Sequence, residues 1–231
     1  MQLAAADLAD FYETPLGQMA RRMIFRRLRQ IWPHVRGQRI LGFGFAVPYL
    51  RGFMADAERV VACMPAQTGV IAWPPGAARL AALAPEDALP FPDAMFDRIL
   101  IVHGLEGAEA LRPLLRQIWR VLAPEGRLLV VAPNRASLWA QVERSPFGHG
   151  RPFSRGELEA TLRAALFVPE CWERALFAPP LLARALLRNG TGWERVGARC
   201  WPGLAGVHLV EASKSLYAPA LAASSAARPQ R

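Results

Sequence analysis

FDRILIVHGLEGAEALRPLLRQIWRVLAPEGRLLVVAPN, residues 96–134, carries two near-continuous apolar runs, FDRILIV and GRLLVVA, on either side of a stretch with helical spacing. Runs that are apolar at nearly every position belong to strands covered on both faces. Between them Leu111, Leu114, Leu115, Ile118, Val121 and Leu122 recur at helical intervals, so the spacing predicts a helix over Ala108–Leu122. Buried strand, helix and buried strand in succession make a crossover unit, which requires a parallel sheet with helices on its faces.

The same alternation extends upstream. Arg39–Phe45, Glu58–Met64, Arg79–Ala84, Asp97–His103 and Gly126–Ala132 read as strands, each bounded by Gly, Pro or charged turns. This is the pattern of a doubly wound α/β sheet. Downstream, Ser154 and Glu157 form a capping box that opens a helix running to about Ala165. FVPECWERALFAPP and GVHLVEASKSLYA read as two further strands. A helical segment at 180–202, with Leu181, Leu182, Leu186, Leu187 and Trp193, lies between them and reads as an insertion or lid. Residues 218–231 are small and proline-containing, the composition of a disordered tail.

Residues 1–35 read as a separate N-terminal helical segment ahead of a domain over 36–217. Thr14-Pro15 is a helix start, with Leu16, Met19, Met23, Leu28 and Ile31 along one side. Arg21, Arg22, Arg26 and Arg29 lie mostly along the other, a face that suits an anionic membrane surface or RNA, or simply solvent. The formal charge is +9, with Lys214 the only lysine, so the excess is arginine and its attraction to anions is unspecific. Apolar residues make up 52% of the 231, enough for a full core. Cys63, Cys171 and Cys200 are too dispersed for a metal site or a disulfide framework. No basic leader or membrane-length apolar run is evident, and the expectation is a cytoplasmic protein without a metal.

EDALPFPDAMFDRILIVHGLE and LLRQIWRVLAPEGRLLVVAPN resemble class I S-adenosylmethionine-dependent methyltransferases, in the branch containing small-molecule and quinone methyltransferases. FYETPLG resembles an N-terminal element that covers the cofactor in some members. The resemblance implies a Rossmann-like sheet of seven mainly parallel strands, the last antiparallel, with S-adenosylmethionine as cofactor and a small or lipophilic acceptor. It implies cofactor contacts at Gly42, Gly44, Ala46 and Pro48 in the first turn, and at Met64 and Pro65 after strand two. Asp87, Ala88 and Leu89 would meet the adenine, and His103 would lie near the methyl group.

The chain departs from that pattern. Gly42 stands where an acid is usual, Ala46 and Pro48 where glycines are, and the end of strand two lacks the carboxylate that holds the ribose. Each charge-assisted bond lost there is worth roughly 1.5–3 kcal/mol. His103, His149 and Glu106 are candidates for proton transfer, and Tyr12, His149 and Arg151 for substrate contact. Each also has a structural alternative: a backbone-bonded histidine, a helix-capping glutamate, a loop contact. Trp73, in IAWPPGAARL, suits a gap-filler better than an adenine cover, and His34 and His208 read as structural. The leading expectation is an S-adenosylmethionine-dependent methyltransferase. The alternatives are a catalytically inactive binding protein of the same fold and an RNA methyltransferase.

Overall fold

The computed structural model describes residues 3–76, 80–142, 145–180, 197 and 199–215. Its seven-stranded sheet is built from β1 (Arg39–Gly44), β2 (Arg59–Pro65), β3 (Ala81–Ala84), β4 (Phe96–Val102), β5 (Leu122–Pro133), β6 (Phe167–Ala175) and β7 (Val207–Lys214). The order is β3-β2-β1-β4-β5-β7-β6, with β7 antiparallel to both neighbours and the other pairings parallel. Strand order reverses between β1 and β4, and their carboxyl ends open the crevice in which such sheets bind ligands.

One face carries the N-terminal hairpin of α1 (Ala5–Glu13) and α2 (Pro15–Ile31), together with the single turn α3 (Val47–Leu50). Thr14 caps α2, its hydroxyl oxygen accepting from Gly17 N–H at 3.0 Å. A β-carbon on Gly17 would come within 2.0 Å of the Phe11 carbonyl oxygen, so glycine is what lets α1 fold back this tightly. Leu8, Phe11, Tyr12, Ile24, Leu28 and Trp32 join Phe45 and Tyr49 in one core cluster. The opposite face carries α4 (Leu111–Val121) and α5 (Arg155–Ala164), which bury Leu114, Leu115, Ile118, Leu158 and Leu162.

Polar ties hold the layers in register. Asp97 accepts from the Arg39 backbone N–H at 2.8 Å and from its guanidinium at 2.9 and 3.0 Å, which lowers the Asp97 carboxyl below the usual range. Arg120 on α4 donates to the carbonyls of Leu89 and Phe91 at 2.9 and 2.8 Å, fastening the loop after β3. Trp32 Nε1 donates to Glu211 on β7 at 2.8 Å.

Several expected boundaries move. The central helix begins at Leu111 rather than Ala108, because residues 103–110 turn over the crevice. β4 ends at Val102, leaving His103 outside it with φ of 50°. β5 starts earlier, at Leu122. Arg29 is not on a free basic face: its guanidinium stacks 5.5 Å from the Phe53 ring and reaches Asp56 at 3.8 Å. Most of the 180–202 segment and the whole 218–231 tail lie outside the described residues.

His208 on β7 is buried, edge-on to Trp172 at 6.2 Å, and neither ring nitrogen has a hydrogen-bond partner. Burial, reinforced by Arg174 and Arg155, pushes its pKa down to about 4. The unfolded chain, with a histidine near 6.5, therefore binds this proton more readily than the folded one. Its contribution is present above about pH 6.5 and is lost as pH falls toward 4, on the order of 3 kcal/mol in all. Urea titrations between pH 7 and 4 should show this loss, and His208→Leu should flatten it.

Candidate functional site

The crevice at the carboxyl ends of β1, β2 and β4 is built on a tight turn. Gly44 closes β1 with φ of 78°, and a β-carbon there would meet the Val102 carbonyl oxygen at 2.4 Å. That close approach lets Phe45 N–H donate to the same carbonyl at 2.7 Å, so the first turn is sewn to β4. Ala46 then caps α3, its carbonyl accepting from Tyr49 and Leu50. Gly42 lies one pleat earlier, under the Leu50 side chain.

Into this corner α1 inserts Tyr12. Its ring stacks on Phe45 at 6.0 Å and meets Tyr49 edge-on at 5.9 Å. Its hydroxyl is 2.9 Å from Tyr49 Oη and 2.9 Å from His103 Nε2. His103 Nδ1 is 3.0 Å from Glu106 Oε1, and both side chains are buried. One assignment orders the chain: Nδ1–H donates to Glu106 Oε1, Tyr12 O–H donates to Nε2, and Tyr49 O–H donates to Tyr12, while Glu106 Oε2 is buried without a partner among the described residues. Burial holds both phenols well above the ordinary tyrosine pKa, so they remain neutral donors. His103 adopts its left-handed backbone here, a strained conformation worth about 1–3 kcal/mol that the two hydrogen bonds help to retain.

Of the residues expected at the site, Tyr12, His103 and Glu106 are thus brought into one chain of contacts. His149 is close by: it lines a cavity of about 30 Å³ with His103, Glu106 and Gly107, while its Nδ1 lies 3.1 Å from the Ser145 carbonyl. Arg151 donates its backbone N–H to Glu106 O at 2.7 Å, but its side chain lines a separate groove beside α4. Asp87 and Ala88 are exposed at the end of β3, with Leu89 buried beneath them. Met64 and Pro65 are buried at the end of β2.

Sequence reasoning passed over Tyr49, Phe147, Thr68 and Glu86. Phe147 packs 4.9 Å from the His103 ring. Thr68 accepts Ala5 N–H on its carbonyl at 2.7 Å, pinning the start of α1 to the turn after β2. Glu86 Oε2 accepts from Glu109 N–H at 3.1 Å ahead of α4, and burial raises its pKa. The P-Y-L of the first turn was the one available hint of Tyr49; the others are tertiary contacts without a local pattern.

The cofactor implied by the sequence meets a mixed fit. The loop at Asp87–Leu89 lies open where an adenine would go. The end of β2 offers no carboxylate for a ribose diol, and Phe45, Met64 and Trp73 are buried in the same core cluster as Tyr12. With α1 docked, the residues of the first turn and of β2 do not fit the ribose and methionine portions.

The Tyr12–His103 contact is testable by itself. Tyr12→Phe and His103→Ala should each destabilise the fold by about 1–2 kcal/mol, since each leaves a buried polar partner unpaired. Their double-mutant cycle in urea should give a coupling of about 1 kcal/mol. Strict additivity would mean that the contact carries no energy.

A model described as a methyltransferase domain matches residues 41–130. Demethylmenaquinone methyltransferase of Thermus thermophilus is 34% identical over 105 residues, covering 45% of this chain and 47% of that protein. The chain thus spans about half the length of that relative. An S-adenosylmethionine-dependent methyltransferase from Mesorhizobium loti superposes with a TM-score of 0.59 at 16% identity, covering 82% of this chain and 96% of that one. Geranyl diphosphate C-methyltransferase from Streptomyces coelicolor, solved with S-adenosyl-L-homocysteine, superposes at 0.55 and 15% identity, covering 82% and 76%. Over residues 41–130 the chain is thus similar to a methyltransferase domain, and its strand order and superpositions give it the fold of the S-adenosylmethionine-dependent methyltransferases.

Proposed function

We propose that the chain is a methyltransferase of a small lipophilic acceptor bearing a hydroxyl on an aromatic or quinol ring. The observation that carries this reading is the phenol of Tyr12 on His103 Nε2, at 2.9 Å, with Glu106 behind the imidazole. Tyr12 holds the place of an acceptor hydroxyl. When such a hydroxyl replaces it, Nε2 takes the proton and Glu106 stabilises the imidazolium. The ring oxygen, or the ring carbon conjugated with it, then becomes the nucleophile. The cofactor of the family, when bound, supplies an electrophilic methyl group. A quinone-type acceptor agrees with the name of the Thermus relative. A lipophilic substrate also suits a chain whose exposed Arg21, Arg22 and Arg26 can rest against an anionic membrane surface. Among the described residues no helix is long and apolar enough to cross a membrane, and no cluster of side chains suits a metal.

This activity requires α1 to leave. Withdrawing Leu8 and Phe11 alone costs on the order of 3–6 kcal/mol of apolar burial. The apparent cofactor affinity falls accordingly, by roughly 10²–10⁴. The packed corner and the missing carboxylate favour a second reading, a non-catalytic binding protein on the same fold.

Calorimetric titration with S-adenosylhomocysteine separates the two. The wild-type chain is expected to bind weakly, and Tyr12→Ala at least about tenfold more tightly, because its closed form is weakened. Methyl transfer to a soluble hydroquinone should be lost in His103→Ala. Absence of binding by both proteins at millimolar ligand would leave the non-catalytic reading.

A further inference from the structure

On the side of the sheet opposite α1, a groove of about 1170 Å³ runs between α4 and α5. That is somewhat more than the roughly 300–1,000 Å³ usual for small-molecule sites. Its apolar lining comes from Leu111, Leu115 and Trp119 on α4 and from Ala160, Ala164 and Leu166 at α5 and its end. Arg112 and Arg116 on α4 and Arg151 opposite complete the lining, and all three are exposed. Among the described residues none of these three guanidiniums has an ion pair or a side-chain hydrogen bond. Arg112 and Arg116 stand at i and i+4, where like charges repel and weaken a helix by a few tenths of a kcal/mol. Glu109 and Glu106 also border the groove; Glu106 Oε1 is held by His103, and its Oε2 is buried without a partner among the described residues.

We propose that this groove binds a single-chain anionic amphiphile of the fatty-acid type. The acyl chain lies on the leucine, tryptophan and alanine surface, and the carboxylate is held by Arg112, Arg116 and Arg151. Guanidinium suits this role because it grips a carboxylate through two parallel bonds. The C-terminal segment leaves β7 beside the same groove, where Ser215 O accepts from Trp119 Nε1 at 3.2 Å. Residues 216–231 carry Arg228 and Arg231 and no acidic side chain, so their side-chain charge has the same sign as the rim and is repelled by it. A helical peptide is the poorer match in length, since α4 spans only about 16 Å.

The test is calorimetry of the full chain with laurate below its micelle concentration, beside dodecanol as the neutral control. Saturable binding at one site is expected, with dodecanol and the Arg112→Gln/Arg116→Gln protein at least about tenfold weaker. Ala164→Trp, which fills the groove from an exposed position, should abolish binding while the circular dichroism stays unchanged. Laurate affinity unchanged in either variant, or no saturable binding to the wild type, would overturn the proposal. Binding to phosphatidylglycerol vesicles without binding to free laurate would also overturn it, assigning the arginines to a membrane surface. So would a gain of tenfold or more on ending the chain at Ser215, which would assign the groove to the chain's own tail.

Discussion

The hydrogen bond from the Tyr12 phenol to the His103 imidazole ties the N-terminal helix to the point where the sheet reverses strand order. Around it the molecule is arranged in opposition. A strained histidine, a buried carboxylate and a glycine turn are the parts expected of a reactive cleft, while the aromatic rings over them are those of a core. The contact holds both in one arrangement: α1 contributes its apolar face to the core and satisfies His103 at the same time. Removing α1 would expose the rings and leave a buried polar atom unpaired, so the closed form is held by two independent terms.

The two faces of the sheet serve different ends. Under α1 the described residues leave a cavity of about 30 Å³ beside His103 and His149. The face under α4 and α5 leaves a wide groove with an arginine rim. In the 96–134 unit, His103 and Arg112 lie only nine positions apart on opposite tasks. The loop from Gly104 to Ala110 separates them, and Glu106 belongs to both linings, with its side chain on His103.

Strand identity and sheet class were legible because buried parallel strands write themselves as unbroken apolar runs: FDRILIV and GRLLVVA both fall within observed strands. The capping box of Ser154 and Glu157 appears as read, with Glu157 N–H donating to Ser154 Oγ at 3.2 Å. Residues 1–35 read as helical, but the docking of α1 over the crevice was not legible. The helix is short, and its apolar residues Leu8, Phe11 and Tyr12 are held by tertiary partners rather than by local propensity. His103 and Glu106 could be named as candidates because they follow a strand end, but their pairing with Tyr12 joins residues 91 positions apart. The filled corner was visible only as missing letters, an absent acid after β2 and absent glycines after β1. What fills it is a matter of packing, which no single-residue pattern encodes. The α4–α5 groove left no trace in the sequence, because its arginines read as ordinary solvated positions on an amphipathic helix.

Hydrogen–deuterium exchange, with and without millimolar S-adenosylhomocysteine, tests most directly whether α1 and the cofactor compete for one corner. The account predicts faster exchange across residues 5–13 and slower exchange across 44–50 when the ligand is added. Protection at 44–50 with α1 unchanged would show that the cofactor enters beside a docked helix, and no change in either segment would show that this corner is not a cofactor site. Either result contradicts the account.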